Sequence, residues 1–222
     1  MSRIVFSDIA GTIVKGNPWD YVREHPYYNA TQGRREMLRF LPAYVGWRLK
    51  IVSDTAFRNQ WLQSMARSLR GLSKAELSKL FDESIRQQMS NMIQTPVVER
   101  LKAHQAEGDK VILVSGMFVE MGRVFADVVG ADGVIGSQIA YTNGVVAGQV
   151  AGPPCVGPRK VEYVQEYLRG HHPDVDITDC YGYADSYSDR SLIAAVGHGV
   201  VTFPEDDMRA YAEAKGWEIM SA

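Results

Sequence analysis

Three features of the 222-residue chain predict an α/β fold, a Rossmann-like doubly wound parallel sheet interrupted early by a helical insertion. Short runs of consecutive apolar residues, IVF at 4–6 and VILV at 111–114, read as strands buried on both faces, as parallel strands are. From Lys110 onward such runs alternate with segments of helical periodicity, the pattern of successive β-α units. Between Asn17 and Ile93 nothing reads as a strand and several segments carry helical spacing. The chain therefore divides into an α/β core domain, residues 1–16 and 94–222, and an inserted helical-bundle cap, residues 17–93.

Residues 3–7 form the first strand. In the insertion, Thr31 is positioned to cap a helix through RREMLRFLPAYVGWRL, and Asp54 or Thr55 to cap FRNQWLQSMARSL, which Gly71 stops. Ser73-x-x-Glu76 is a capping box opening SKAELSKLFDESIRQQM. After Thr95, TPVVERLKAHQAEGDK reads as a helix ending near Gly108, KVILVSG as a strand, and FVEMGRVFADVVG as a helix stopped by glycine. IGSQIAYTNGVVAGQV holds two alternating runs about Asn143-Gly144, a hairpin signal. PRKVEYVQEYLRG, ITDCYGYADS, SDRSLIAAVG, GHGVVTF and EDDMRAYAEAKG then alternate helix and strand to the end.

The bulk composition excludes several function classes. With 45% hydrophobic and 23% charged residues and a formal net charge of -2, nothing invites nucleic acid. Cys155 and Cys180 lack metal-type spacing and read as packing residues. The N-terminus enters a strand almost at once, which is not the pattern of a secretory leader. The most apolar helical stretch, LRFLPAYVGWRLKIV, is interrupted by Arg39, Pro42, Arg48 and Lys50 and is not a membrane span. The expectation is a cytoplasmic protein with a small-molecule partner, engaging neither nucleic acid nor membrane.

In doubly wound sheets, ligands bind outside the carboxyl ends of the strands, near a topological switch point. Those ends here carry Asp8 after the first strand, Ser115-Gly116 after KVILV, and Asp185 with Asp189 after ITDCYGYA; Lys160 begins the helix before the last of these. Carboxylates and a lysine so placed suit a hard divalent cation with an oxyanion, and Mg²⁺ takes one or two carboxylates plus substrate oxygens. Ser115 beside Gly116, at an expected helix N-terminus, suits phosphate oxygens.

The stretches DIAGT (8–12), VSGM (114–117), GPRK (157–160) and ADSYSD (184–189) resemble, in order, the four motifs of the haloacid dehalogenase-like (HAD) hydrolases. A helical cap between the first two motifs, and the ending FPEDDMRAYAEAKGWEI, resemble the phosphoserine phosphatase-like branch, subfamily IB. The resemblance implies a Mg²⁺-dependent phosphatase acting on a small phosphorylated metabolite through an aspartyl-phosphate. Asp8 would then be the nucleophile, and Mg²⁺ would be held by Asp8, the main-chain carbonyl of Ala10, and Asp185, with Asp189 in support. Ser115 and the Gly116 amide would bind a phosphate oxygen, and Lys160, with Arg159 as its rival, would neutralise the group. Asn17 and Trp19, close behind the first motif, would meet the substrate.

Ala10 departs from the family pattern. Most of its phosphatases place an acid there, to protonate the leaving oxygen and then activate water, a contribution of roughly 10²–10⁴-fold. One branch that resembles this chain in using Asp-x-Ala-Gly-Thr is the phosphonoacetaldehyde hydrolases, where a cap lysine forms a Schiff base; Lys15 and Lys50 are the nearest in sequence. A second alternative is a phosphate-binding or regulatory protein with little turnover. Where true phosphoserine phosphatases place an acid and an arginine to hold the amino acid, Asn17 and Met65 stand here, which argues against phosphoserine. The aromatics Trp19, Tyr27, Tyr28, Tyr44, Trp47 and Trp61 read mainly as cap core, and His171-His172 as a solvated pair.

Overall fold

The computed structural model describes residues 3–221; Met1, Ser2 and Ala222 of the expected core segment lie outside it. The strands are β1 (Ile4–Ser7), β2 (Lys110–Phe118), β3 (Gly133–Thr142), β4 (Val145–Ala151), β5 (Tyr181–Ala184), β6 (His198–Thr202) and β7 (Glu218–Met220). The helices are α1 (Trp19–Val22), α2 (Ala30–Arg48), α3 (Asp54–Ser68), α4 (Lys74–Arg86), α5 (Met89–Met92), α6 (Thr95–Ala106), α7 (Val119–Val129), α8 (Arg159–His171), α9 (Arg190–Ala195) and α10 (Asp206–Lys215).

One seven-stranded sheet runs in the order β4-β3-β2-β1-β5-β6-β7. All its pairings are parallel except β3 with β4. Chain order reverses about β1, so the switch point lies where β1 meets β5. The consecutive apolar residues of β1 are explained by burial on both faces. Ile4 and Phe6 share a cluster with Val164, Leu168 and Leu192 of α8 and α9, while Val5 joins Val97, Leu101 and Phe125 of α6 and α7. Each such fully buried side chain contributes about 1.5–3 kcal/mol. The second cluster continues without a break into Leu62, Met65, Leu77 and Phe81 of α3 and α4.

Within residues 17–93 the described elements are helices, as the sequence predicts, with caps shifted from two expected positions. Asn29, not Thr31, caps α2 by accepting from the Gln32 amide at 3.0 Å. Ser53, not Asp54 or Thr55, caps α3 by accepting from the Ala56 amide at 3.3 Å. Asp54 instead occupies the first turn, where its charge suits the helix dipole. The Ser73–Glu76 capping box forms in full, with the Glu76 amide donating to Ser73 Oγ at 3.2 Å and the Ser73 amide donating to Glu76 Oε2 at 2.8 Å.

The expected hairpin turns at Asn143 and Gly144, both at positive φ (52° and 81°), as a twist-matched two-residue turn requires. It is not a free flap. The Gly71 amide donates to the Val146 carbonyl at 2.9 Å, and the Val146 amide donates to Leu72 at 2.8 Å. Gln63 Nε2 donates to the Gly148 carbonyl at 3.0 Å, so α3 and its following loop are bonded to β4.

Two expectations need correction. β2 runs on to Phe118 with a register irregularity after Ser115, and α7 begins only at Val119. Ser115 therefore sits in a distorted strand end, not at a helix N-terminus. The tail also forms β7, a three-residue edge strand paired with β6, which the sequence pattern does not announce.

Candidate active site

Asp8 extends β1 by one residue, its amide donating to the Tyr183 carbonyl at 2.8 Å. The chain then folds back on itself. The Ile13 and Val14 amides donate to the Ile9 carbonyl at 2.9 and 3.0 Å, and the Gly11 amide donates to the Val14 carbonyl at 2.7 Å. These bonds engage both neighbours of Ala10 and leave its own carbonyl out. The Gln94 side chain donates to the carbonyls of Gly11 and Thr12, pinning the turn from outside. Gly11 adopts φ 87°, and a Cβ there would stand 2.0 Å from Asp185 Oδ2. Backbone conformation and close approach both demand glycine at this position.

The second residue of α8, Lys160, brings Nζ to 2.6 Å from Asp8 Oδ1 and 2.8 Å from Asp189 Oδ2, all three residues being buried. A cation in the first turn opposes the helix dipole, and two carboxylates offset this. Burial acts to lower the Lys160 pKa, yet the attraction of Asp189 and Asp8 outweighs it and leaves the ammonium raised. Burial pushes Asp8 up to about 6 despite Lys160, with Asp189 adding repulsion. Burial and the neighbouring Asp8 push Asp185 up to about 7, against a hydrogen bond from Thr12 Oγ1 at 2.9 Å. Asp189 does not cap α9 through its side chain; that side chain turns to Lys160, leaving Oδ1 buried without a hydrogen-bond partner.

Two buried carboxylates, Asp8 and Asp189, thus converge on one ammonium with the half-buried Asp185 beside them, a set of hard oxygen donors with one orphaned oxygen. That donor set fits Mg²⁺. Among the described residues no three His, Cys, Asp or Glu side chains are grouped so as to hold a metal ion by themselves. Such an arrangement suits an ion that keeps waters and substrate oxygens in its shell.

These residues line a cleft of about 780 Å³ between the sheet and the helical segment. Asp8, Ala10, Ser115, Gly116, Lys160, Asp185 and Asp189 form its floor, and Asn17, Trp19, Trp47, Asp54, Arg58 and Trp61 its opposite wall. The structure thus brings together every residue expected at the site. Lys160 lines the cleft and its rival Arg159 does not. Ser115 is buried, its Oγ accepting from the Met117 amide at 3.4 Å. Asn17 is exposed and accepts from the Trp19 amide at 3.3 Å. Trp19 is only 4% exposed, wedged edge-on between Phe81 and Phe118 at 5.9 and 5.8 Å, so it forms a fixed wall.

The sequence reading passes over Arg58. It reaches Asp54 Oδ2 with Nε at 2.6 Å and faces the carboxylate cluster. Burial acts to lower its pKa, but Asp54, then Asp189 and Asp8, outweigh this and raise it. The signal was an acid–base pair four residues apart just after a helix start. Met65, two turns further on, is 1% exposed and belongs to the core. Lys15 and Lys50 are exposed and neither lines the cleft, so the Schiff-base alternative finds no lysine there besides Lys160.

The model of the haloacid dehalogenase-like hydrolases matches residues 5–194. The chain is 23% identical over 219 residues to a phosphoserine phosphatase of Mycobacterium tuberculosis, covering 99% of this chain and 70% of that one. A probable phosphatase of the same organism is 25% identical over 151 residues, 68% of this chain and 52% of that one. The chain thus spans about half the length of that relative. A solved structure of a protein of unknown function from Bordetella pertussis Tohama I shares the fold with a TM-score of 0.83 at 22% identity, covering 100% of this chain and 99% of that one.

Proposed function

The chain belongs to the haloacid dehalogenase-like hydrolases, on their phosphoserine phosphatase-like branch, and from that premise we propose that it hydrolyses phosphate monoesters through Asp8. The observation that carries this reading is Asp8 itself, a buried strand-tip carboxylate held by Lys160 at 2.6 Å in an open cleft. Lys160 fixes Oδ1 and leaves Oδ2 to attack phosphorus. The new O–P bond forms as the ester P–O bond breaks, giving an aspartyl-phosphate and an alkoxide or phenolate that takes its proton from solvent. Water then attacks the acyl phosphate, releasing inorganic phosphate and restoring the carboxylate.

Lys160 sets its charge beside the phosphoryl oxygens, and the Ser115 hydroxyl and Gly116 amide donate to them from the distorted end of β2. Asp8, Asp185 and the Ala10 carbonyl would hold Mg²⁺, with Asp189 behind them. The bound ion would neutralise charge on the transferring phosphoryl group. Residues 17–93 act as the cap, presenting Arg58 and Asp54 to the leaving group and excluding water. Ala10 supplies no proton, so turnover favours leaving groups that depart without one. It also favours a second reading, a site that binds phosphate and turns over little.

Steady-state hydrolysis of an aryl phosphate with Mg²⁺ tests the proposal. Activity in the native chain that disappears in Asp8→Asn supports it. Activity that survives Asp8→Asn removes Asp8 as nucleophile, and silence in the native chain favours the binding role.

A further inference from the structure

The outward face of α2 is apolar and basic at once. Leu38, Leu41, Val45 and Leu49 recur at three- and four-residue spacing, forming one ridge, and are between 46% and 71% exposed. Monomeric domains seldom leave so continuous an apolar ridge bare without an interaction to make. Exposed Arg34, Arg35, Arg48 and Lys50 flank it. Residues 30–51 hold five basic side chains and a single acid, Glu36, which is buried and paired with Arg39 and Arg67. In a chain of net charge -2 this is a local reversal of sign.

The same helix walls a second cavity of about 530 Å³, apolar along Met37, Phe40, Leu41, Tyr44 and Phe57. It shares Asn17, Arg58 and Trp61 with the cleft that holds Asp8, and is an annex of it. Leu41 belongs to both ridge and annex. Arg23 enters the annex over the Trp61 ring at 5.1 Å, with Nε and Nη2 buried and lacking any hydrogen-bond partner.

We infer that α2 lies on an anionic membrane surface, and that the annex receives the apolar chain of a phosphate monoester drawn from that surface. The chemistry at Asp8 rests on the phosphatase reading; the docking does not. Arg23 lends the annex wall a positive charge, with two buried donors that no protein group uses. Anionic lipid is favoured over a second copy by charge: a two-fold pairing would bring identical basic flanks together, whereas anionic head groups complement them. No described helix is long and apolar enough to cross a membrane. Arg39 and Pro42 interrupt this one, so it rests in the interface plane with its ridge among the head groups.

Cosedimentation of the full chain with phosphatidylcholine vesicles, with and without phosphatidylglycerol, tests the docking. Binding to the anionic vesicles is expected. Arg35→Ser with Arg48→Ser should weaken it on the order of tenfold to thirtyfold, and Leu38→Asp with Val45→Asp should abolish it without changing aryl phosphate turnover. Absence of binding, equal binding to both vesicles, or unaltered binding by the Asp variant overturns the inference. So does a dimer, seen by light scattering, that the Asp variant dissolves. Octyl phosphate should inhibit aryl phosphate turnover at least about tenfold better than ethyl phosphate; equal inhibition overturns the annex assignment. If no aryl phosphate is turned over, the phosphatase reading fails while the vesicles still decide the docking.

Discussion

Replacing Gly11 by alanine perturbs the site through one added carbon. The left-handed backbone at φ 87° costs an L-residue about 1–2 kcal/mol. The methyl would lie 2.0 Å from Asp185 Oδ2, whereas carbon and oxygen pack no closer than about 3.5 Å, so the carboxylate must retreat by roughly 1.5 Å. That retreat breaks the hydrogen bond from Thr12, worth about 1.5–3 kcal/mol when the acceptor is charged. Gly16→Ala supplies the control, because Gly16 shares the left-handed backbone (φ 71°) with nothing within 4 Å of the added carbon. Both variants should lose stability to backbone strain, at about 2–4 °C of Tm per kcal/mol. Only Gly11→Ala should also lose about 10²-fold in kcat/KM, the scale of a misplacement of this size. Thermal melts and aryl phosphate kinetics on the pair decide the matter. Equal activity in the two variants would refute a role for the Asp185 position.

Ala10 faces the open cleft, so Ala10→Asp has room and restores a proton donor. Alkyl phosphate hydrolysis should then rise by about 10²–10⁴-fold and aryl phosphate hydrolysis far less; a uniform rise would point away from leaving-group protonation. At the opposite end of the sheet, burial acts to raise the Asp109 pKa, but hydrogen bonds from Arg3 and His104 outweigh it and hold the carboxyl below its usual range. A depressed carboxylate stabilises the fold fully above the ordinary value near pH 4 and loses that contribution as pH falls through the folded value. Urea midpoints should therefore drop on the acid side, and Asp109→Asn should flatten that limb; parallel acid limbs would remove Asp109 as the cause.

The core elements were legible because their signals are local or doubly enforced. β1 and β2 are apolar on consecutive positions since helices cover both faces, and Asn143-Gly144 and Ser73-x-x-Glu76 specify their turn and cap within four residues. The four-motif order likewise placed Asp8, Ser115, Lys160 and Asp185 around one cleft. What escaped depends on distant partners. β7 is a three-residue edge whose pairing comes from β6, and β2 overruns into Phe118 because it still pairs with β3 at Ser137. Ser53 displaces Asp54 as the α3 cap, which frees Asp54 to pair with Arg58 over the site. The Asp54–Arg58 spacing marks only a local ion pair on a helix; that the pair faces the carboxylates of the distant strand ends depends on how residues 17–93 pack.

The bonds between the hairpin and α3 bear on how this fold can be recombined. Grafting residues 17–93 alone onto another core would cut the pairing of Gly71 and Leu72 with Val146 and leave Gln63 without Gly148. The transferable module therefore includes β4 as well as the helices. A chimera that carries both segments together is the one that keeps its seam closed.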